Sequence, residues 1–256
     1  KTDRSFTGLT QRLLERISGF PGQEVIDIGC GAGELALAVS RMRPLARITG
    51  LDVSDDLLAV ARQRAVDRSQ VRFECADAAQ WQPPGAPPEL LMSRHGVMFF
   101  DNPVTAFTHL RTISAPRANL CFSCFRDLDE NGWAAQVGAI LPTPPAPLPR
   151  PPHYAPGPFA FADPDFVRAI LAKAGWASIA FEAFDFAYVA GQGADAVDDA
   201  EDFFSRIGPF AQAMREAADD AREGLRHRLR AMLDRNCSDG LVVFPAAVWI
   251  VTARNG

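Results

Sequence analysis

Residues 25–38 read VIDIGCGAGELALA, and this stretch decides the fold of the chain. It begins with β-branched residues, passes through three glycines within five positions, and continues as small and aliphatic residues typical of a helix. A strand that turns through glycines into a helix lets a ligand approach the backbone closely. The stretch therefore predicts a β-strand, a ligand-binding turn and an α-helix.

The composition narrows the class of protein. Of 256 residues, 48% are hydrophobic and 22% are charged, which favours one globular domain over residues 1–256. The net charge of −5 argues against nucleic acid as a partner, since binding to nucleic acid relies on clustered Lys and Arg. No apolar run approaches the ~20 residues that span a bilayer, so we expect no membrane association.

The cysteines indicate a reducing, cytoplasmic location, because there are five of them and they are scattered along the chain. Cys121 and Cys124 have the spacing of metal ligands, but their segment alternates like a strand. Residues three apart on a strand point to opposite faces, and no second cysteine pair is present. We interpret them as buried thiols and predict no metal site.

The first half of the chain alternates short apolar runs with helical segments, a pattern typical of a mostly parallel sheet with helices on both faces. A sixth strand is expected at about Ala177–Val189, and residues 241–254 are expected to close the chain as a strand or hairpin. The prediction is therefore an α/β, Rossmann-like fold with a seven-stranded sheet. The five strands expected in the first half are Glu24–Ile28, Arg47–Asp52, Gln70–Glu74, Glu89–Ser93 and Ala118–Phe125.

Two segments interrupt this pattern in the second half. Residues 142–158 contain nine prolines in seventeen positions, which predicts an extended loop. Residues 198–236 carry apolar side chains at helical spacing, and Gly208-Pro209 should kink or divide the first helix there. We expect a helical insertion whose apolar face packs as core or forms a lid on a substrate cavity.

The glycine turn favours one kind of ligand. A nicotinamide-binding turn has a third glycine where this chain has Glu34. Asp27 stands two residues before the first glycine, where a carboxylate suits a cationic amine better than a pyrophosphate. The ligand is therefore expected to carry a positive charge and no phosphates.

The motif DIGCGAG, residues 27–33, resembles the first motif of the class I S-adenosylmethionine-dependent methyltransferases, an acid followed by xGxGxG. Three more segments follow in the order of that family, and the resemblance covers roughly residues 20–190 and the closing 244–254. It implies a Rossmann-like fold, S-adenosylmethionine as cofactor and the small-molecule, quinone-biosynthesis-like branch. The three segments are GLDVS (50–54), FECADAAQW (73–81) and LLMSRHGVMFFDNPVTAF (90–107).

The resemblance also implies roles for single residues. Asp52 would meet the ribose hydroxyls unless it is only a solvated acid of the turn. Asp77 would meet the adenine amino group unless it only caps the short segment after the third strand. Ser93 and Arg94 would lie near the methionine end. One departure is APRAN (115–119), where the family has a Pro-Gly-Gly turn. The complete set of expected cofactor-binding residues is Asp27, Gly29, Cys30, Gly31, Gly33, Asp52, Val53, Asp77, Ala78, Ser93 and Arg94.

His95 would lie near the transferable methyl group, as a general base or as a residue that only shapes the pocket. We hypothesise O-methylation of an apolar, aromatic small molecule, with C- or N-methylation left open. The chain lacks the Asn-Pro-Pro-aromatic motif of the family's amino-methylating nucleic-acid enzymes. A non-catalytic S-adenosylmethionine-binding protein and a nicotinamide-dependent oxidoreductase are the alternatives from other classes. The sequence does not indicate an oligomeric state.

Overall fold

The glycine-rich stretch begins on a central strand of an eight-stranded sheet in the computed structural model, which describes residues 2–143 and 154–256. The strand order is β3-β2-β1-β4-β5-β8-β6, and the two-residue β7 pairs with β8. Strands β1 to β5 pair in parallel, whereas β8 runs antiparallel to β5. The strands are β1 (Glu24–Ile28), β2 (Arg47–Asp52), β3 (Val71–Cys75), β4 (Leu90–Arg94), β5 (Asn119–Phe125), β6 (Trp176–Gln192), β7 (Cys237–Ser238) and β8 (Leu241–Asn255).

The predicted Rossmann-like, mostly parallel sheet is confirmed, and its strands lie within a few residues of their expected positions. The strands are rich in Val, Ile and Leu because a parallel sheet covered on both faces buries both sides of each strand. The eighth strand, which the sequence did not predict, is the short β7. It joins β8 through Asp239 and Gly240, which both have positive φ, +51° and +72°. An Asp-Gly pair is favoured in such a two-residue hairpin turn.

Three helices begin at a side-chain cap. The side chains of Ser54, Asn102 and Asp163 each accept a backbone N–H at the first turn of a helix. The helices α1, α2 and α6 were not predicted, although Leu9, Leu13 and Ile17 stand at helical spacing in α2. The helices are α1 (Thr2–Ser5), α2 (Thr7–Ser18), α3 (Glu34–Met42), α4 (Asp55–Arg64), α5 (Pro103–Ile113), α6 (Gly132–Ile140), α7 (Pro164–Lys173), α8 (Ala196–Phe204), α9 (Gly208–Glu216) and α10 (Asp219–Arg235).

The described residues form two compact units, each with its own interior. The sheet unit comprises residues 10–126, 154–184 and 248–256, and the insert unit comprises 2–9, 127–143 and 185–247. Methyl- and ring-bearing side chains such as Phe204, Phe210 and Leu229 fill the core of the insert unit. The prediction of a single domain over residues 1–256 stays a prediction.

The predicted helical insertion consists of the three helices α8, α9 and α10. Gly208 and Pro209 stand at the start of α9, so they divide the helices as expected. Phe203 and Phe210 are buried in the insert unit, whereas Ile207 is 42% exposed because it lies between two helices. None of the described helices is both long and apolar enough to cross a membrane.

Most of the predicted proline-rich loop, residues 144–153, lies outside the described residues. Its last part is described from Tyr154 onward. The turn at 115–119, which differs in sequence from the Pro-Gly-Gly turn of the family, is closed by the Ala118 N–H, which donates to the Ala115 carbonyl over 3.0 Å. Arg117 has φ +66° there, a left-handed conformation that glycine adopts with less strain.

Candidate functional site

The sheet has a topological switch point between β1 and β4, because the chain moves from β1 toward β2 and β3 and later returns to β4 on the other side. In open α/β sheets, ligands bind outside the carboxyl ends of the strands at this point. All twelve predicted site residues belong to the sheet unit. They follow or end β1, β2, β3 and β4, so the fold brings them to one edge of the sheet.

The glycine turn after β1 has left-handed backbone at three positions, with φ of +64° at Gly29, +54° at Gly31 and +80° at Gly33. A Cβ on Gly29 would lie 2.7 Å from Cα of Gly96, and a Cβ on Gly33 would lie 2.7 Å from the Phe73 ring. A Cβ on Gly31 would meet only a Leu57 methyl at 4.0 Å. Gly29 and Gly33 therefore serve packing, while Gly31 leaves open space beside the turn.

The Asp27 side chain is buried, at 1% exposure, and only one of its two carboxylate oxygens has a hydrogen-bond partner among the described residues. Its Oδ2 accepts the Ala36 N–H at 3.0 Å, whereas its buried Oδ1 has no hydrogen-bond partner among the described residues. Burial raises the pKa of this carboxyl to about 7, and the nearby Asp52 and Glu34 add to the shift while Arg94 opposes it. A buried acceptor without a partner is costly, so Asp27 fits a cationic ligand group such as an amine.

Asp52 ends β2 and holds the glycine turn. Its Oδ2 accepts the Gly31 N–H at 2.8 Å, and its Oδ1 accepts the Ser54 N–H at 2.9 Å. A carboxylate has about four lone-pair sites, so two hydroxyl donors can still be accommodated. The next residue, Val53, is 75% exposed although it follows a buried strand. An acid beside an exposed aliphatic side chain suits a ribose and the face of its base.

Asp77 follows β3 and caps the turn that begins there. Its Oδ1 accepts the Ala79 N–H at 2.9 Å and its Oδ2 accepts from Nε2 of Gln80 at 3.1 Å. Its side chain is exposed, and Ala78 is buried. Capping, one of the two interpretations from the sequence, is therefore present in the structure. A contact to an adenine amino group stays a prediction.

Ser93 joins the carboxyl ends of β1 and β4. Its hydroxyl donates to the Ile28 carbonyl over 2.7 Å and accepts the Gly96 N–H over 3.0 Å. A Cβ on Gly96 would overlap that same carbonyl oxygen. Ser93 thus shapes the site by fixing two strand ends, with its hydroxyl engaged inside the protein.

Arg94 is part of a polar group that the sequence did not predict. Its Nη1 forms an ion pair with Glu34 and donates to Oγ1 of Thr10 over 2.7 Å. The Thr10 hydroxyl in turn donates to Oε1 of Glu34 over 3.2 Å. Glu34 was noted only as the missing third glycine. Its partners are 60 and 24 positions away, so no local pattern indicates the group.

His95 follows β4 with φ +66°, and its ring stacks on Phe125 with centroids 4.1 Å apart and planes 9° apart. Phe159 packs near the Phe125 ring at 5.6 Å. Both nitrogens of the His95 ring are buried. Burial, with a smaller contribution from Arg94, holds the pKa of His95 well below its usual range, so its imidazole is neutral at physiological pH.

Three of the four cysteines in the described part of the sheet unit are buried, and Cys75 is exposed. Cys30 is buried, and burial raises the pKa of its thiol. Its Sγ would lie 2.8 Å from a Cβ on Gly50, so it fills space below the glycine turn. Cys121 and Cys124 are buried on β5, and burial raises the pKa of Cys121 to about 12. The described residues contain no group of three or more metal-binding side chains.

The site fits a Rossmann-like domain for a cationic, phosphate-free nucleoside cofactor. It lies at a switch point, beside an open glycine turn, and it has one buried acid with an unpartnered oxygen and a second acid at the end of β2. The comparisons with known proteins agree with this class. Residues 25–117 match the family model of a methyltransferase domain. This part of the chain is therefore a methyltransferase domain of the class I S-adenosylmethionine-dependent type, and S-adenosylmethionine is the cofactor of that class.

One curated relative, trans-aconitate 2-methyltransferase of Rhizobium meliloti (strain 1021), is 33% identical over 118 residues, which are 46% of this chain and 44% of the relative. The match thus spans less than half the length of that protein. The fold is similar to the cyclase SpnF, with a TM-score of 0.56, 18% identity and coverage of 96% of this chain and 80% of SpnF. It is also similar to phosphoethanolamine N-methyltransferase 2 of Haemonchus contortus in complex with S-adenosylhomocysteine, with a TM-score of 0.55, 14% identity and coverage of 96% and 52%.

Proposed function

We propose that this chain binds S-adenosylmethionine at the switch point and transfers its methyl group to an oxygen of a small molecule. The observation that carries the proposal is the buried Oδ1 of Asp27, which needs a donor and lies beside the turn where Gly31 leaves open space. Asp27 would hold the amine of the cofactor, Asp52 its ribose, and Asp77 with Ala78 its adenine. When bound, the cofactor supplies an electrophilic methyl group on a sulfonium.

An apolar, aromatic acceptor is supported by the rings beside β4 and β5. The half-buried His95 and Phe159 rings both pack against the Phe125 ring, with centroids 4.1 Å and 5.6 Å from it. Phe99, four positions after His95, is a large apolar side chain that is 54% exposed. Rings next to the methyl donor exclude water and can align a planar acceptor for in-line displacement.

His95 is the candidate base for an acceptor that carries a proton. A phenol or alcohol loses its proton as the carbon–oxygen bond forms, and a neutral imidazole can accept it. Replacing His95 with Asn, which tolerates positive φ, is expected to lower kcat on a phenol about 100-fold and leave S-adenosylhomocysteine affinity unchanged. An unchanged kcat would remove the base and leave His95 a residue that shapes the pocket.

A carboxylate acceptor is the second candidate, favoured by the relative named trans-aconitate 2-methyltransferase. An ionised carboxylate has no proton to lose, so methyl transfer to it needs no base. With such an acceptor, the His95→Asn variant is expected to keep its kcat. The same variant therefore separates the two acceptor classes when both are assayed side by side.

The pH dependence of kcat follows from the burial of His95. Because its pKa lies well below the usual range, His95 is already neutral near pH 6.5. Its protonation therefore does not lower kcat in that pH range. We expect kcat with saturating cofactor and acceptor to be flat from about pH 6 to 8. A decrease in kcat below about pH 6.5 that is absent from the His95→Asn variant would contradict the buried, neutral state of this ring.

The direct test is methyl transfer by the purified chain. Methyl-labelled S-adenosylmethionine is incubated with the chain and panels of phenols and carboxylic acids, including trans-aconitate, and with a cell extract divided into small molecules and precipitated macromolecules. Label on a phenol or carboxylic acid supports the proposal, and alkali-labile label identifies an ester. Label only in the precipitate would overturn the small-molecule acceptor. Cofactor binding without label in any fraction would favour the non-catalytic alternative, and Asp27→Asn serves as the negative control.

A further inference from the structure

Tyr154, the first residue of the described last part of the proline-rich loop, is hydrogen-bonded to the turn that follows His95. Its hydroxyl donates to the Phe100 carbonyl over 2.7 Å and lies 3.2 Å from the Met98 carbonyl. The Met98 carbonyl also accepts the Gly157 N–H over 3.1 Å. The stretches 95–100 and 154–157 are therefore connected by three hydrogen bonds, although they are more than fifty positions apart in the chain.

The stretch that Tyr154 ties down continues into the rings beside His95. Phe159 follows five positions later and packs near Phe125, on which the His95 ring stacks. Phe161 is fully buried against Phe107 and Phe122, so the stretch is anchored at its far end as well. Phe159 lies between these two anchors and is itself half-buried.

We propose that residues 154–161 form one wall of the acceptor pocket, with Phe159 selecting the acceptor and Tyr154 positioning the wall against the His95 turn. The inference rests on the proposed function, since it assumes that the acceptor lies beside His95. Phe159 adds an apolar ring beside the stacked pair of His95 and Phe125, and such a ring suits an aromatic acceptor better than a compact carboxylate. Tyr154 touches neither acceptor nor cofactor and acts through the Met98 and Phe100 carbonyls.

The Tyr154→Phe variant keeps the ring, which packs near Phe161 and Phe166, and removes only the hydroxyl. We expect acceptor KM to rise about fivefold, because the net contribution of one such hydrogen bond corresponds to about that factor. kcat and S-adenosylhomocysteine affinity should stay unchanged. Hydrogen exchange at the Gly157 amide should become faster, since its stretch loses an anchor.

The Phe159→Leu variant tests selection. The quantity measured is kcat/KM for an aromatic acceptor divided by kcat/KM for a non-aromatic carboxylate acceptor. We expect this ratio to fall about tenfold in the variant. Phe181→Leu is the matched control, because Phe181 is also a half-buried ring of the sheet unit but packs against Trp249 and Arg168. It should leave the ratio unchanged.

The outcomes separate this inference from the proposed function. A wild-type chain that binds S-adenosylhomocysteine but methylates no acceptor overturns both. An active wild type with unchanged acceptor KM in Tyr154→Phe, or with equal ratios in Phe159→Leu and wild type, overturns the wall alone. A rise in KM together with a loss of cofactor affinity also overturns it, since the effect would then be a general loss of structure.

Discussion

Replacing Asp27 with asparagine is expected to weaken S-adenosylhomocysteine binding about 100-fold and to raise the melting temperature of the unliganded chain at about pH 8. The first effect follows from the unpartnered Oδ1, which in the complex would accept from the amine of the ligand as a charged acceptor. Isothermal titration calorimetry measures the affinity, and a thermal melt without ligand measures the stability.

The gain in stability follows from the sign of the pKa shift. In the unfolded chain Asp27 ionises near pH 4, whereas in the fold burial raises its pKa to about 7. The free energy of unfolding therefore falls as pH rises from about 4 through 7, by at most about 4 kcal/mol. Asparagine does not titrate, so the variant avoids this loss, and the difference from wild type should grow across that window.

The affinity for the ligand should depend on pH through the same group. Below pH 7, Asp27 is largely protonated in the unliganded chain, and binding of a cationic amine must release that proton. We expect affinity to rise up to about tenfold per pH unit from about pH 5.5 to 7, with proton release visible in buffers of different ionisation enthalpy.

Glu89→Gln is the matched control for Asp27→Asn. The Glu89 carboxylate accepts the N–H groups of Gln23 at 2.7 Å and Glu24 at 3.2 Å, which hold its pKa below the usual range. This variant should lower stability at neutral pH and leave ligand affinity unchanged. If Asp27→Asn instead lost stability like the control while keeping its affinity, Asp27 would be a structural cap and not the amine site.

Two glycine variants should change different properties of the chain, ligand affinity in one and stability in the other. Gly31→Ala is expected to fold, because its Cβ would meet only Leu57 at 4.0 Å, with about 1–2 kcal/mol of strain from its positive φ. The methyl would occupy the open space beside the turn, so S-adenosylhomocysteine affinity should fall at least about tenfold. Calorimetry and a denaturant titration of the same sample give both quantities.

Gly96→Ala is expected to lose more than about 3 kcal/mol of stability or to fail to fold. Its Cβ would overlap the Ile28 carbonyl oxygen and lie 2.8 Å from Cα of Gly29, and backbone atoms on both sides have no room to shift. A stable Gly96→Ala chain would mean that β1 and β4 do not meet as closely as described. Wild-type affinity in Gly31→Ala would place the ligand away from the glycine turn.

The fold was predictable because it depends on local patterns. The strand–glycine–helix stretch at 25–38, the side-chain caps Ser54 and Asn102, and the break at Gly208 all act within a few residues. Short-range signals of this kind are read directly from residue types and spacing. The two-residue strand β7 is too short to show a periodic pattern and was missed. The helix α2 was also missed, although Leu9, Leu13 and Ile17 stand at helical spacing.

The environment of the site was less predictable than its members. The motifs indicated Asp27 and Arg94, but burial decides the pKa of Asp27, and burial depends on the packing of distant segments. The Glu34–Arg94–Thr10 group joins three elements through contacts across 24 to 84 positions. The hydroxyl of Ser93 was expected near the cofactor and is engaged by Ile28 and Gly96, which only the positions of β1 and β4 reveal.

The strand order has a consequence for the order of events during synthesis. Strands β1 to β5 are contiguous over residues 24–125 and pair with one another, so the half of the sheet that carries the proposed cofactor residues can assemble while the ribosome is still translating. Strand β8 lies between β5 and β6. One edge of β5 and the edge of β6 that pairs with β8 therefore stay unpaired until residues 241–255 emerge from the ribosome. During that interval the nascent chain exposes strand edges that favour aggregation, and a ribosome stalled before residue 241 would leave them exposed.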